Sequence, residues 1–175
     1  MVLGINTVLR HYKLHITDAF DKNYYKFIKW VAVFSQKFPK LSIAIKHHGN
    51  FPHDPKESEI IKKTNIKLQV ESNSVNGSYA NAFQSKVLCS FGSTMIFELL
   101  GHNVPGYFID PSYENQQFFE LLPQSKKWRI KNYKEFERKI LRVINSKKME
   151  IKNKNLYCLN SNRVSKRIAK FLKNY

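Results

Sequence analysis

The run KVLCS-FG-STMIFELLG-HNVP-GYFI-DPSYEN, residues 86–115, constrains the fold more than any other stretch of the chain. Residues 86–90 are apolar enough for a buried strand, Phe91-Gly92 makes a tight turn, and residues 93–100 read as a short helix closed by Gly101. Residues 106–109 form a second strand, stopped by Asp110-Pro111. Start and stop signals thus fall where a compact strand–helix–strand unit needs them. The turn also carries chemistry. Gly92 lets backbone approach a ligand closely, and Ser93 and Thr94 bring hydroxyls to a helix N-terminus whose free N–H groups favour an anion. Glu98 follows Thr94 by four residues, which puts both on one helix face within reach of the same bound molecule.

The flanking segments repeat the alternation of strand and helix. Residues 1–17 hold two short apolar runs, the second with Leu14 and Ile16 alternating about His15 as in a half-buried strand. His11 and His15 read as surface or edge residues. Asp21 is placed to cap a helix over residues 23–37, where Tyr24, Phe27, Ile28, Val31 and Phe34 recur at helical spacing as a core stripe and Pro39 ends the segment. Residues 41–45 are nearly continuous in apolar character, as a central parallel strand is. A helix is expected over 56–63, with Glu57 and Glu59 in its first turn and Lys62 and Lys63 in its last complementing its dipole. A strand over 65–70, a polar loop over 71–77 and a helix over 78–84 lead into the central unit. After it come a helix over 114–122, an edge strand at Trp128-Arg129-Ile130, and a helix over 133–144 with Tyr133, Phe136, Ile140 and Ile144 on one stripe. Residues 146–155 read as a loose basic linker and 161–174 as an amphipathic helix docked on the domain. The fold class expected is α/β, a Rossmann-like parallel sheet with helices on both faces over residues 1–145, followed by the linker and docked helix over 146–175.

A chain of 175 residues has room for one domain with a real core, and 42% hydrophobic and 14% aromatic content exclude a disordered one. The net charge of +17 suits nucleic acid, anionic lipid or an acidic polymer. The lysines, however, are spread along the chain and not gathered into one arm, and Lys, Asn and Ile run high together, as AT-rich coding also produces. With no signal peptide and no run of about 18 apolar residues, a cytoplasmic location is expected, peripheral at the inner membrane face. The two cysteines, Cys89 and Cys158, fit neither a zinc pattern nor a disulfide framework, and Cys89 reads as a small buried hydrophobe.

Ligands of open α/β sheets gather beyond the carboxyl ends of the strands. Two loops qualify, Lys46-His47-His48-Gly49-Asn50 after the strand at 41–45, and Gly92-Ser93-Thr94. A phosphate or pyrophosphate between them would meet backbone N–H groups, two hydroxyls, the Lys46 ammonium and an imidazole able to donate to phosphate oxygen. Glu98 would accept from ribose hydroxyls. Other chemistries lack support. His47, His48, His53 and Asp54 have the residue types of a zinc site at no established spacing. A G-x-S-x-G elbow, a G-x-G-x-x-G fingerprint and a P-loop are all missing.

These same residues carry a family likeness. Ser90-Phe91-Gly92-Ser93-Thr94, Glu98, Gly101, Pro105 and Asp110-Pro111…Asn115 resemble the nucleotide-sugar half of GT-B glycosyltransferases. The nearest subset is the bacterial surface and capsular polysaccharide group, with its Kdo transferases, polysialyltransferases and CDP-glycerol glycerophosphotransferases. There the first loop typically reads Lys-Pro-His-Pro, with its His on the nucleotide phosphate, and a Ser/Thr pair opens the helix. The resemblance implies that His48 contacts phosphate, that Ser93 and Thr94 supply the hydroxyl pair, and that Lys46, Gly92, Glu98 and Asn115 complete the donor site. His47 and Gly49 stand where both prolines are expected, which leaves the loop less rigid and lets His47 compete with His48. The likeness covers roughly residues 41–144 and belongs to the C-terminal half of a two-domain fold. The acceptor-binding N-terminal domain, which often holds the catalytic base, is expected to be separate, so catalytic residues stay unassigned. The function implied is donor binding for transfer of a sugar or polyol phosphate from a CMP-, CDP- or UDP-linked donor in surface polysaccharide synthesis, with no metal and no cofactor. Composition offers a rival, a non-catalytic basic module holding an anionic polymer or a membrane surface. Nucleic acid is not the partner expected.

Overall fold

The computed structural model describes residues 18–46, 55–69, 75–90, 95–111, 125–146, 150–152 and Tyr157. In chain order these form α1 (Asp18–Lys37), β1 (Ala44–Lys46), α2 (Pro55–Ile61), β2 (Lys67–Gln69), α3 (Val75–Gln84), β3 (Leu88–Ser90), α4 (Met95–Gly101), β4 (Gly106–Ile109), α5 (Ser125–Trp128), β5 (Arg129–Ile130) and α6 (Tyr133–Asn145). Among the described residues every strand pairing is parallel. β1 and β2 form one ladder, with Ala44 opposite Lys67 and Lys46 opposite Gln69. β3, β4 and β5 form a three-stranded sheet with β4 in the centre, so Leu88 lies opposite Gly106 and Phe108 opposite both Ser90 and Arg129. The chain is therefore an α/β protein in which a three-stranded parallel sheet packs against helices.

Alternate residues of β4 meet different partners, as the two-residue strand period dictates. Gly106 and Phe108 face α4. A Cβ added at Gly106 would lie 2.9 Å from Ile96 Cγ2, and the Phe97 and Phe108 rings stand 5.7 Å apart. Tyr107 turns the other way, to Trp128 at 5.9 Å, with the Lys139 ammonium of α6 5.7 Å from its ring. Lys139 also donates to the carbonyls of Lys127, at 3.0 Å, and Arg129, at 2.5 Å, which ties α6 to the α5–β5 junction. Desolvation holds its ammonium below the ordinary lysine range.

The stripe expected on α1 is the core face. Tyr24, Phe27, Ile28, Val31 and Phe34 are all buried, and Trp30 joins them. Phe136 of α6 receives this face, with Phe27 at 5.7 Å and Phe34 at 5.3 Å, both edge-to-face, the arrangement the ring quadrupole favours. Residues of both ladders and of α1, α4 and α6 share one hydrophobic core. An exposed ion pair, Lys37 to Glu137 at 2.5 Å, closes the same helix contact from outside and holds the Glu137 carboxyl below its usual range.

Several local expectations change. α1 begins at Asp18, so Asp21 lies inside the helix and does not cap it. Glu57 serves the interior and not the α2 dipole alone. It is fully buried, accepting from the Tyr24 hydroxyl at 2.5 Å, while Lys62 and Lys63 fall beyond the end of α2. Asn65 lies outside β2 and bridges α1 instead, donating to Pro39 O at 2.6 Å and accepting from Ser35 Oγ. α3 starts at Val75 and takes in part of the expected polar loop. Trp128 belongs to the short α5, with only Arg129 and Ile130 in the strand.

The end of α4 is a further difference. Gly101 is helical and buried, and the stop comes two residues later at Asn103, whose φ of 63° is left-handed. Val104 N–H bonds Leu99 O at 2.8 Å and Asn103 N–H bonds Leu100 O at 3.2 Å, the paired bonds of a Schellman motif. Asparagine tolerates this conformation, so it supplies the terminus that Gly101 was expected to provide. Asn103 Oδ1 then accepts from Ile151 N–H at 3.3 Å, and Ile151 is buried. Tyr157 is buried too, its hydroxyl accepting from the Trp128 indole at 2.7 Å. At Ile151 the segment expected to be a loose linker is anchored to the core, and Tyr157, just beyond it, is anchored as well.

Among the described residues no helix is long and apolar enough to cross a membrane. The approach of α4 to β4 yields a direct test. Gly106→Ala inserts a methyl into the Ile96 side chain and should destabilise the protein by about 1–3 kcal/mol, as overpacking does. Combining it with Ile96→Ala should cost less than the two single changes summed, because the second removes the atoms with which the first collides. Urea denaturation of the four proteins measures both effects, and strict additivity would show that the contact does not limit packing here.

Candidate functional site

The sequence places its candidate chemistry at the carboxyl ends of β1 and β3, and the structure fixes the frame around them. Ser90 closes β3 and is buried, in the row Ser90–Phe108–Arg129 across the sheet. Glu98 is the fourth residue of α4, half-buried, between Phe97, which packs on Phe108, and the buried Leu99. Lys46 ends β1, half-buried and level with Gln69. Glu98 and Lys46 are the predicted donor-site residues whose positions are described. His48, Gly92, Ser93, Thr94 and Asn115 lie outside the described residues, as do His47, His53, Asp54, the helix expected over 114–122 and the amphipathic helix expected over 161–174.

One buried ion pair emerges whose pairing the sequence does not show. Asp110 follows β4 directly, and its N–H donates to Ile130 O at 2.9 Å, which extends the β4–β5 ladder by one bond. Its Oδ2 accepts from an Nη2 hydrogen of Arg129, forming an ion pair that is almost wholly buried. The sequence signal was present in another guise. Asp110-Pro111 marks the strand stop and Arg129 lies in the expected edge strand, but nothing local says that the two side chains meet.

Nucleophilic chemistry finds no support within the frame. Cys89 is fully buried in β3, and burial alone pushes its thiol far above the ordinary range, so it carries no thiolate near neutral pH. Burial likewise pushes the Tyr107 hydroxyl up to about 12, with Cys89 adding to the rise. Neither group is poised for proton transfer near neutral pH. The frame supplies hydrogen-bonding and charged groups, which suits it to binding.

No protein-family model matches the chain, and no curated protein matches it. Any functional assignment therefore stands on the residues themselves.

The state of Cys89 is open to a simple check. In a Cys158→Ser protein, iodoacetamide at pH 8 should modify Cys89 only as fast as the chain unfolds, and the rate should climb with urea below the unfolding midpoint. Fast, urea-independent labelling would place the thiol at the surface.

Proposed function

We propose that the chain binds a nucleotide-activated sugar or polyol at the carboxyl edge of a doubly wound parallel sheet, as the donor half of a glycosyltransferase of the surface-polysaccharide kind. The observation that carries this reading is the direction of the two ladders. From β1 the chain steps to β2, and from β3 it steps through β4 to β5, all in parallel. With β1 beside β3 these ladders become one Rossmann-like sheet in the order 2-1-3-4-5, helices on both faces, whose switch point lies between β1 and β3. Ile43, Ile45, Val87 and Cys89 share one core, which supports that adjacency.

The loops that leave the two switch-point strands are those holding Lys46 with His48, and Gly92 with Ser93 and Thr94. On this reading the helix N-terminus and hydroxyl pair hold the pyrophosphate, His48 and Lys46 neutralise the departing nucleotide, and Glu98 accepts from ribose, with Asn115 at the rim. Stabilising charge on the leaving group is itself a catalytic contribution. The acceptor and the general base belong to a separate N-terminal domain, and the basic surface suits a position at the cytoplasmic membrane face.

A second reading draws on α1, whose Lys22, Lys26, Lys29 and Lys37 are exposed on a chain of net charge +17. A basic module of this kind would hold an anionic polymer or a membrane surface through charge alone.

Thermal unfolding with CMP, CDP, UDP, GDP and ADP separates the two. A ligand selective for the folded state stabilises it by about 2.7 kcal/mol at a hundred times its dissociation constant. One nucleotide should raise the melting temperature, and the Ser93→Ala/Thr94→Ala variant should lose that shift. Failure of all five overturns donor binding by this chain, and salt-sensitive binding of polyphosphate or anionic vesicles, indifferent to those two positions, would then support the basic module.

A further inference from the structure

From Lys22 to Lys40 the chain holds five lysines and no acidic residue. α1 sorts them by face. Lys22, Lys26, Lys29, Val33 and Gln36 follow one another at steps of three and four, so they line one side of the helix, and all five are exposed. The opposite side is the buried stripe that packs into the core. The exposed line is about 21 Å long at 1.5 Å per residue. Lys40 stands exposed just past the helix end, while Lys37, at the margin, is taken up by Glu137.

We infer that this side of α1 is a membrane-docking surface that lies flat on a bilayer with anionic headgroups. The inference rests on the basic-module reading above, gives that module one partner, and is independent of donor binding.

The charges supply the first argument. A solvated helix face ordinarily mixes signs, since a carboxylate three or four residues from a lysine stabilises the helix. Lys26 and Lys29 have no acidic residue within four positions on either side. Lys22 and Lys26 repel each other at a spacing of four, and an anionic surface relieves that repulsion. Val33 supplies the second argument. It is 50% exposed and continues the line of lysines. A phosphate chain offers it nothing to contact, whereas the boundary between headgroups and acyl chains accepts apolar side chains. The kind of cation supplies the third. Every one is a lysine, whose long stem can lie along apolar surface and carry the ammonium out to the headgroups, and none is an arginine, the residue favoured for gripping nucleic-acid phosphates. Lys26 shows the posture. Its ammonium stands 6.0 Å from the ring of Trp30, which borders the exposed line. Because Phe27 and Phe34 fix α1 to Phe136, the backbone needs no ordering when the face docks.

Co-sedimentation with vesicles of phosphatidylcholine, with and without phosphatidylglycerol, tests the inference. The proteins are wild type, Lys22→Gln/Lys26→Gln/Lys29→Gln, and a control with the same loss of charge, Lys62→Gln/Lys63→Gln/Lys126→Gln, whose lysines are exposed elsewhere. Wild type should bind only the anionic vesicles, and less as salt rises. The α1 variant should bind about a hundredfold more weakly, because each lysine close to such a surface contributes about a factor of five. The control should stay within a few-fold of wild type. Val33→Trp reports the face directly. Trp30 and Trp128 are buried, so after subtraction of the wild-type spectrum its emission should move to shorter wavelength on anionic vesicles. Equal losses in the two lysine variants, or an unshifted emission from bound Val33→Trp, overturn α1 as the docking face and leave the basic module standing. Binding of polyphosphate or RNA without binding of vesicles overturns the membrane as partner and also leaves the module standing. Binding of none of the three overturns both.

Discussion

Parallel pairing is the constraint from which the rest of this structure follows. Parallel strands cannot be joined by tight hairpins, and each pair needs a crossover that returns the chain to the same edge. The crossovers cover the sheet, so its strands are buried and must be apolar. β4 is buried at all four positions and β3 at all three. Strands of two to four residues carry few ladder hydrogen bonds, so the sheet is held together by what packs on it. Gly106 lets α4 settle on β4, Lys139 straps α6 to the carbonyls at the α5–β5 junction, and Phe136 receives the aromatic face of α1. The first two join elements that are neighbours in sequence, and the third brings in α1 from the far end of the described chain.

How much of this was legible follows from where the deciding interactions lie along the chain. The limits of β4, residues 106–109, come directly from Pro105 and Asp110 around four apolar residues, and the core stripe of α1 comes from its period. Both signals are local. The errors sit where a distant partner decides. Glu57 looks like a dipole-complementing surface residue until Tyr24, 33 positions earlier, is packed against it. The segment past α6 looks loose because its composition is polar, yet Ile151 bonds Asn103 across 48 positions and Tyr157 bonds Trp128 across 29. Asn103 competed with Gly101 within two residues and won, since a helix terminus is set by the geometry of its last carbonyls as well as by the freest residue nearby.

The candidate site divides in the same way. Its loop chemistry, His48, Ser93 and Thr94, is a sequence motif. Its frame is architecture, namely Ser90 at the end of β3, Glu98 in α4 and Lys46 at the end of β1. A motif names residue types. Only the frame can say which of them share an edge, and that depends on the order in which parallel strands lie side by side. The same dependence hides Asp110 and Arg129 from sequence. They are 19 positions apart, and each has an adequate local explanation, as a strand stop and as an edge-strand residue.

The cost of that pair makes it informative. Among the described residues, three electrostatic contacts differ in what they do for stability. The exposed Lys37–Glu137 pair is worth about 0–1 kcal/mol, as surface pairs are, and it adds little to a helix contact already made by Phe27, Phe34 and Phe136. Lys139 is a strut, its half-buried ammonium donating to two main-chain carbonyls, one of them near the end of α5. Asp110–Arg129 is neither. Desolvating two charges commonly costs as much as their attraction returns, and well-packed apolar residues would hold β4 to β5 about as firmly. A strut would also satisfy the atoms it buries, as the Tyr24–Glu57 bond satisfies a buried carboxylate on the other side of the core. Asp110 keeps one oxygen without a donor, at the edge of the sheet where the backbone stops pairing. The same pair leaves both Asp110 Oδ1 and Arg129 Nε without a partner, so one arm of the guanidinium–carboxylate fork is made and the other is not.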